Sequence, residues 1–202
     1  MKAHFISLAV GCALAGGTLR RKGSRRRPWL EIRRLETEGI YLGSQGRALR
    51  KAATAEARCI EDMVPGAAFY DICRLRFQHP WLERVMEICC PDGEQRVTPE
   101  ALGIAGVRGL AQLWLDAGLW EGREGRIVPR SGGDAPPIRA ALAGLGIPSS
   151  APIGRDWIIT VAPRPMEELA TLLRPYVHRS MRHALRPGSR HGLELLGSKS
   201  LA

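Results

Sequence analysis

The sequence predicts an α+β chain with basic ends. Three observations carry that prediction. From residue 99 onward the patterns run helix, strand, loop, helix, strand, helix, an α+β order within one unit. Apolar residues make up 45% of the 202, enough for a packed core and too many for wholesale disorder. The formal charge of +10 is uneven: residues 1–30 carry +7 with no acid, residues 169–202 carry +5, and the stretch between them carries −2.

Along the chain, Phe5 to Ala15 is an apolar run, too short to span a bilayer as a helix. Most of the nearby positive charge follows this run, the reverse of a secretory signal. An acid-free stretch rich in Arg, Ser and Ala fits an organelle transit peptide or an arm that orders on a polyanion. Residues 1–30 are therefore expected to be a basic N-terminal arm or targeting-like segment. Trp29 to Leu35 begins the ordered body, and Gly39 to Gly46 is apolar and ends in glycine. Arg47 to Glu61 is rich in Ala and Arg, with good helix propensity. Pro65-Gly66 marks a turn. Phe69 to Phe77 and then Pro80 to Cys90 carry aliphatics at helical spacing, with Trp81, Leu82, Val85 and Met86 the clearest.

Pro91-Asp92-Gly93 is a turn. Thr98 reads as an N-cap with Pro99 at the first helical position. A further helix covers about 107 to 116 and stops at Gly118. Ile127-Val128 is a short strand, 131–137 a loop, and Ile138 to Leu145 a helix ended by Gly146. Trp157 to Val161 is the clearest strand, and Pro165 to Leu173 an amphipathic helix.

The five cysteines, Cys12, Cys59, Cys73, Cys89 and Cys90, are odd in number and form neither CxxC nor zinc spacing. They are expected to be reduced, mostly buried thiols. His178, His183 and His191 sit among arginines and read as polar surface beside phosphates. Cys73 and His79 lack a third orienting residue, so local packing is expected there. Gly118 to Gly125 lacks the Gly-Lys-Ser/Thr of a phosphate loop. Trp114 and Trp157 read as core, Trp120 as surface. No cofactor or metal site is expected.

Two segments carry a family resemblance. They are Leu110-Ala111-Gln112-Leu113-Trp114-Leu115-Asp116-Ala117-Gly118 and the closing Pro175-Tyr176-Val177-His178-Arg179-Ser180-Met181-Arg182. With Thr98-Pro99 before the first, Trp114 inside it and Leu145-Gly146-Ile147 between the two, the order resembles the two-repeat LAGLIDADG homing endonucleases over residues 98–186. Leu142 to Ile147 copies the family name's first letters, but no acid follows it. The resemblance implies motif helices packed together beside curved antiparallel sheets that lie over a duplex. It makes 98–186 the second repeat, 31–97 a degenerate first repeat with its motif near 39–46 and its acid position at Gln45, and 187–202 a basic tail.

In that family the residue before the motif glycine is an acid that holds the cleaving metal, because hard divalent ions prefer carboxylate oxygen. Here that residue is Ala117. Asp116 stands one position earlier, about 100° around the helix. The lysine that often follows the closing Met-Arg is replaced in the pair His183-Ala184. The resemblance thus implies a chain without endonuclease activity and without catalytic residues.

The expected function is an RNA-binding structural protein, a component of a mitochondrial ribosome, with rRNA and neighbouring ribonucleoprotein subunits as partners. A small-molecule substrate and a membrane are not expected. The alternative is an active DNA endonuclease or intron RNA maturase. Phosphate contacts are expected from Arg20, Arg21, Lys22, Arg25, Arg26 and Arg27 at one end. At the other they are expected from Arg174, Arg179, Arg182, Arg186 and Arg190.

Overall fold

Two stretches are apolar around most of their circumference, and both become core helices, as such a pattern requires. α1 (Lys2–Leu14) buries Phe5 and every residue from Leu8 to Leu14. α4 (Pro99–Ala117) buries every residue from Gly109 to Leu115. The two pack against each other along small residues. A Cβ on Gly11 would lie 2.3 Å from Gln112 Oε1 and 3.3 Å from the Cα of Gly109, so α1 sits tightly on α4 where Gly11 carries no side chain. The computed structural model describes residues 2–23, 26–54, 56–65, 71–150 and 157–188.

Each core helix opens the same run of elements. After α1 come β1 (Thr18–Arg20), β2 (Trp29–Leu35), α2 (Gly39–Ala52), β3 (Arg58–Pro65), β4 (Asp71–Gln78) and α3 (Leu82–Cys89). After α4 come β5 (Gly118–Glu121), β6 (Glu124–Ile127), α5 (Ala135–Gly144), β7 (Ser149–Ser150), β8 (Ile159–Val161) and α6 (Pro163–Leu173). The sheets are antiparallel, with matching orders β1-β2-β4-β3 and β5-β6-β8-β7. The chain is thus an α+β fold of two repeats, with motif helices beside two antiparallel sheets.

Local signals place the helix ends. Thr98 caps α4, its hydroxyl accepting from the Ala101 N–H at 3.0 Å, with Pro99 in the first turn. Gly106 lies inside α4 at φ 58 and kinks it. α1 ends in a Schellman turn: Gly16 takes φ +70, and the Gly17 N–H donates back to the Cys12 carbonyl at 3.0 Å. The linker between repeats then locks this end. The Gln95 amide donates to the carbonyls of Ala13 and Gly17 and accepts from the Leu19 N–H, at 2.8, 2.7 and 2.8 Å. The closing segment turns through 174–176 and 179–185, burying Val177, Met181, Ala184 and Leu185. Trp114 Nε1 donates to the Ala184 carbonyl at 3.1 Å, which ties the motif helix to that segment.

Several sequence expectations need correction. Residues 2–14, expected to belong to a basic arm or targeting-like segment, form a core helix that packs on α4. Arg20 and Trp29-Leu30, also assigned to the arm, are sheet residues. The first motif helix is therefore α1. The stretch 39–46 begins α2, where Gln45 is buried and donates to the Tyr41 hydroxyl at 3.0 Å. The helix expected over 47–61 ends at Ala52, and residues 58–61 are strand. In 71–78 the buried Leu75 and Phe77 alternate with Arg74, Arg76 and Gln78 at period two on a strand rather than following helical spacing. Trp120 is buried, on the inner face of β5 opposite Gly125. Trp157 is 47% exposed, its ring lying over Gly132. Among the described residues no helix is long and apolar enough to cross a membrane.

The close approach of α1 and α4 is directly testable. Gly11→Leu should destabilise the protein by about 2–3 kcal/mol through overpacking, read as a lower denaturant midpoint. An unchanged midpoint would mean that α1 does not lie against α4.

Candidate functional site

The packing of α1 on α4 brings two helix C-termini together. Each presents unpaired carbonyls and the negative end of its dipole, about half a charge per helix. Two guanidiniums answer this charge, Arg34 from a buried position and Arg130 from an exposed one. Arg34, on the inner face of β2, donates to the Ala15 carbonyl at 3.3 Å and forms an ion pair with Asp116 at 2.6 Å. It also lies 3.8 Å from Glu38 and 5.7 Å from the Tyr41 ring centre. Arg130 reaches the carbonyls of Ala13 and Gly17 at 3.5 and 3.4 Å. A cavity of about 460 Å³ opens between the helix ends, lined by Gly16, Arg33, Arg34, Glu38, Asp116, Ala117 and Arg130 among others.

Once α1 is recognised as the first motif helix, its register follows. Leu8-Ala9 through Ala15-Gly16 repeats the spacing of Leu110-Ala111 through Ala117-Gly118. The residue before the terminal glycine is alanine in both repeats, Ala15 and Ala117. Neither methyl group can bind a metal. Asp116 points between the helix ends, and Gly16 leaves room for it: a Cβ there would stand 2.9 Å from Asp116 Oδ2. The carboxylates lining the cavity, Asp116 and Glu38, both face Arg34. This donor set does not fit the divalent ion that the family resemblance implies, because a hard cation needs several free oxygens, whereas Arg34 holds Asp116 Oδ1 and Oδ2 alone is left without a partner. Among the described residues no three of His, Cys, Asp and Glu are grouped to hold a metal.

Burial pushes the Asp116 carboxyl from its ordinary 3.8 up to about 6, against the lowering pull of Arg34 and Arg130. Loss of water therefore outweighs the ion pair. Burial likewise pushes the Cys12 thiol up to about 12, which leaves it inert as a nucleophile. His79 is a buried packing residue whose two ring nitrogens are both hydrogen-bonded. Its ring meets Thr54 Oγ1 at 2.7 Å and Phe5 at 5.0 Å.

The outer face of the first sheet is a second feature, and sequence reasoning missed it. The register puts Arg20 on β1, Arg33 on β2, Arg74 and Arg76 on β4 and Arg58 on β3 on this face. Leu19, Leu30, Leu75 and Phe77 point the other way, into the core. Asp62 receives two bonds from Arg74, at 2.8 and 2.6 Å, and one from Arg76 at 3.3 Å. The bond from Arg74 leads the causes that hold its carboxyl below the usual range. Arg33 pairs with Glu31 at 2.8 Å. Five arginines against two acids leave the face basic. The signal was present in Arg74-Leu75-Arg76-Phe77, where charge and apolar residue alternate at period two.

Of the residues expected to touch phosphate, Arg20 lies on this face. Arg21 pairs with Glu83, and Arg27 pairs with Glu56 at 3.4 Å. Lys22 and Arg26 are exposed in the connection from β1 to β2. Arg174, Arg179, Arg182 and Arg186 are exposed on the closing segment, which packs against α2, α4 and β5 rather than joining the sheet face. Arg25, Arg190 and His191 lie outside the described residues.

The Arg34–Asp116 pair should show itself in stability and its pH dependence. Between about pH 4 and 6 the folded Asp116 keeps a proton that the unfolded chain has lost, so its contribution falls as pH rises through that window. Arg34→Met leaves the carboxylate uncompensated, and should cost about 3–5 kcal/mol near pH 7. The loss should shrink near pH 5, where Asp116 takes up a proton. Urea midpoints at the two pH values measure this, and a loss as large in acid as at neutrality would contradict the pairing.

No protein-family model matches the chain, and no curated protein sequence does. Solved structures do. The homing endonuclease I-WcaI bound to its DNA recognition sequence is similar at TM-score 0.70 and 14% identity, over 94% of this chain and 88% of that one. I-DmoI in complex with DNA and Ca is similar at TM-score 0.59 and 11% identity, over 97% and 99%. The N-terminal LAGLIDADG domain of DUF199/WhiA is similar at TM-score 0.53 and 14% identity, over 90% and 87%. The chain therefore has the fold of the LAGLIDADG homing endonucleases.

Proposed function

We propose that this protein binds nucleic acid and does not cut it. The observation that carries the reading is the pair of alanines, Ala15 and Ala117, at the ends of both motif helices, with Asp116 held by Arg34. Two-metal cleavage needs several free carboxylate oxygens that clamp the attacking and leaving oxygens, whereas Asp116 gives Oδ1 to Arg34 and keeps a single unpartnered oxygen, Oδ2. The basic face of the first sheet supports binding, since arginines that meet phosphates release condensed counterions.

RNA is the proposed partner, and a mitochondrial ribosome the proposed setting, with rRNA and neighbouring subunits around the protein. The surplus of arginine over acid supports this, as does the loss of metal ligands, which suits a structural role. The burial of α1 removes one argument for that setting, because residues 2–14 act as core rather than as leader or arm. Duplex DNA is the competing partner, since I-WcaI and I-DmoI were captured on DNA.

Two measurements test the reading. Incubation with magnesium and supercoiled DNA should give no nicking; nicking abolished by Asp116→Ala would establish an endonuclease instead. In a salt-containing gradient the native protein should travel with ribosomal subunits and lose that position after ribonuclease treatment. Migration as a small free species would remove the ribosomal assignment.

A further inference from the structure

The two sheets are built on one plan, but their outer faces differ in charge. At one end of the first sheet, direct cross-strand partners form the row Arg20, Trp29, Gln78 and Arg58. Side chains directly opposite in an antiparallel sheet share a face. Strands spaced at about 4.8 Å put the two terminal Cα atoms about 14 Å apart. Both arginines are exposed, and neither is in an ion pair with a described residue. The next rows hold Arg76 and then Arg33 with Arg74, whose pairing with Glu31 and Asp62 fixes their forks in place.

The corresponding row of the second sheet reads Leu119, Arg126, Thr160 and Ser150. Its lone cation, Arg126, pairs with Glu121 at 2.9 Å. Arg123 and Glu124 in the adjoining turn and strand cancel as well. The strands are also shorter. β4 has eight residues and runs about 26 Å. β6 has four and runs about 13 Å. Among the described residues β6 thus has half the length of β4, and the outer face of the second sheet carries no net charge.

We infer that the first repeat alone grips the nucleic acid, with Arg20 and Arg58 each meeting one of the two phosphate strands that border a single groove. Their separation of about 14 Å is comparable with a major groove about 12 Å wide in B-DNA. In A-form RNA the wide, shallow minor groove is the accessible one. The footprint is that of one sheet, and the second sheet contributes almost nothing to affinity. This inference rests on the nucleic-acid-binding reading above. It adds which half of the molecule binds and which two side chains set the reach.

The test uses the full chain and fluorescence anisotropy. The probes are duplexes of about two helical turns, one of DNA and one of RNA, titrated between about 50 and 200 mM salt. The double variant Arg20→Ala/Arg58→Ala should weaken binding about tenfold or more and lower the slope of log K against log salt by about 2. The double variant Arg123→Ala/Arg126→Ala should stay within about twofold of the parent, with its slope unchanged. All four residues lie outside the core, and matching thermal midpoints confirm that both variants fold. The duplex bound more tightly identifies RNA or DNA as the source of the phosphates. Equal losses in the two variants, or no loss on removing Arg20 and Arg58, overturn the one-sheet inference while leaving a nucleic-acid binder. Failure of the parent to bind either duplex overturns the functional reading itself, and the inference with it.

Discussion

The rest of the structure depends on the close approach of α1 to α4. Glycine at position 11 leaves room for the Gln112 side chain and the Gly109 backbone of α4, and that contact brings the two helix ends together. Converging C-termini gather carbonyl oxygens and like dipole ends in one place, a concentration of negative charge in a water-poor region. Such a site requires positive charge. In metal-bearing members of the resembling family, acids and divalent ions meet there. In this chain Arg34 supplies the charge from within and Arg130 from the exposed side, and the acid positions are alanine. A guanidinium built into β2 neither exchanges with solvent nor generates a nucleophile from water. The same electrostatic demand is met without a metal ion.

Asp116 is the exception that makes this arrangement informative. A carboxylate between two helix ends adds negative charge where it is least welcome, and burial raises its pKa accordingly. It is tolerated because Arg34 lies 2.6 Å away and because Gly16 carries no side chain to exclude it. Arg34 in turn meets Asp116 on α4, the Ala15 carbonyl at the end of α1 and Glu38 just before α2. One arginine thus joins three parts of the chain that the sheet alone would not connect. Gln95 does the neutral part of the same work from the linker between repeats.

The second half of the chain was legible because its signals are local. Thr98-Pro99 opens a helix by capping geometry, Gly146 closes one, and Trp157 to Val161 has strand chemistry, although the strand itself spans only Ile159–Val161. The first half was read less well for a physical reason. An apolar run of about a dozen residues carries no mark of whether it inserts into a translocon, lies in a membrane surface or packs on a helix 100 residues away. Only the repeat of Leu-Ala and Ala-Gly at the same spacing in 8–16 and 110–118 distinguishes these uses, and that echo lacks the acid that draws attention to the motif. The absence of metal ligands at Ala117 was visible in sequence. The arginine that takes their place was not, since Arg34 is one of seven consecutive strand residues with no motif of its own and meets Asp116 only through tertiary packing. The basic sheet face was hidden by reading period-two alternation at 71–78 as helical.

The claim at the centre of this account is that the helix-end cavity holds a guanidinium in place of a divalent ion. Titration of the isotope-labelled protein with manganese, followed by paramagnetic broadening of backbone amides, tests it without reference to any activity. The account predicts that the amides of Ala15, Gly16, Asp116 and Ala117 broaden no more than those of exposed acidic surface. Selective broadening at both helix ends at low manganese concentration would contradict it, placing a metal site where the structure places Arg34.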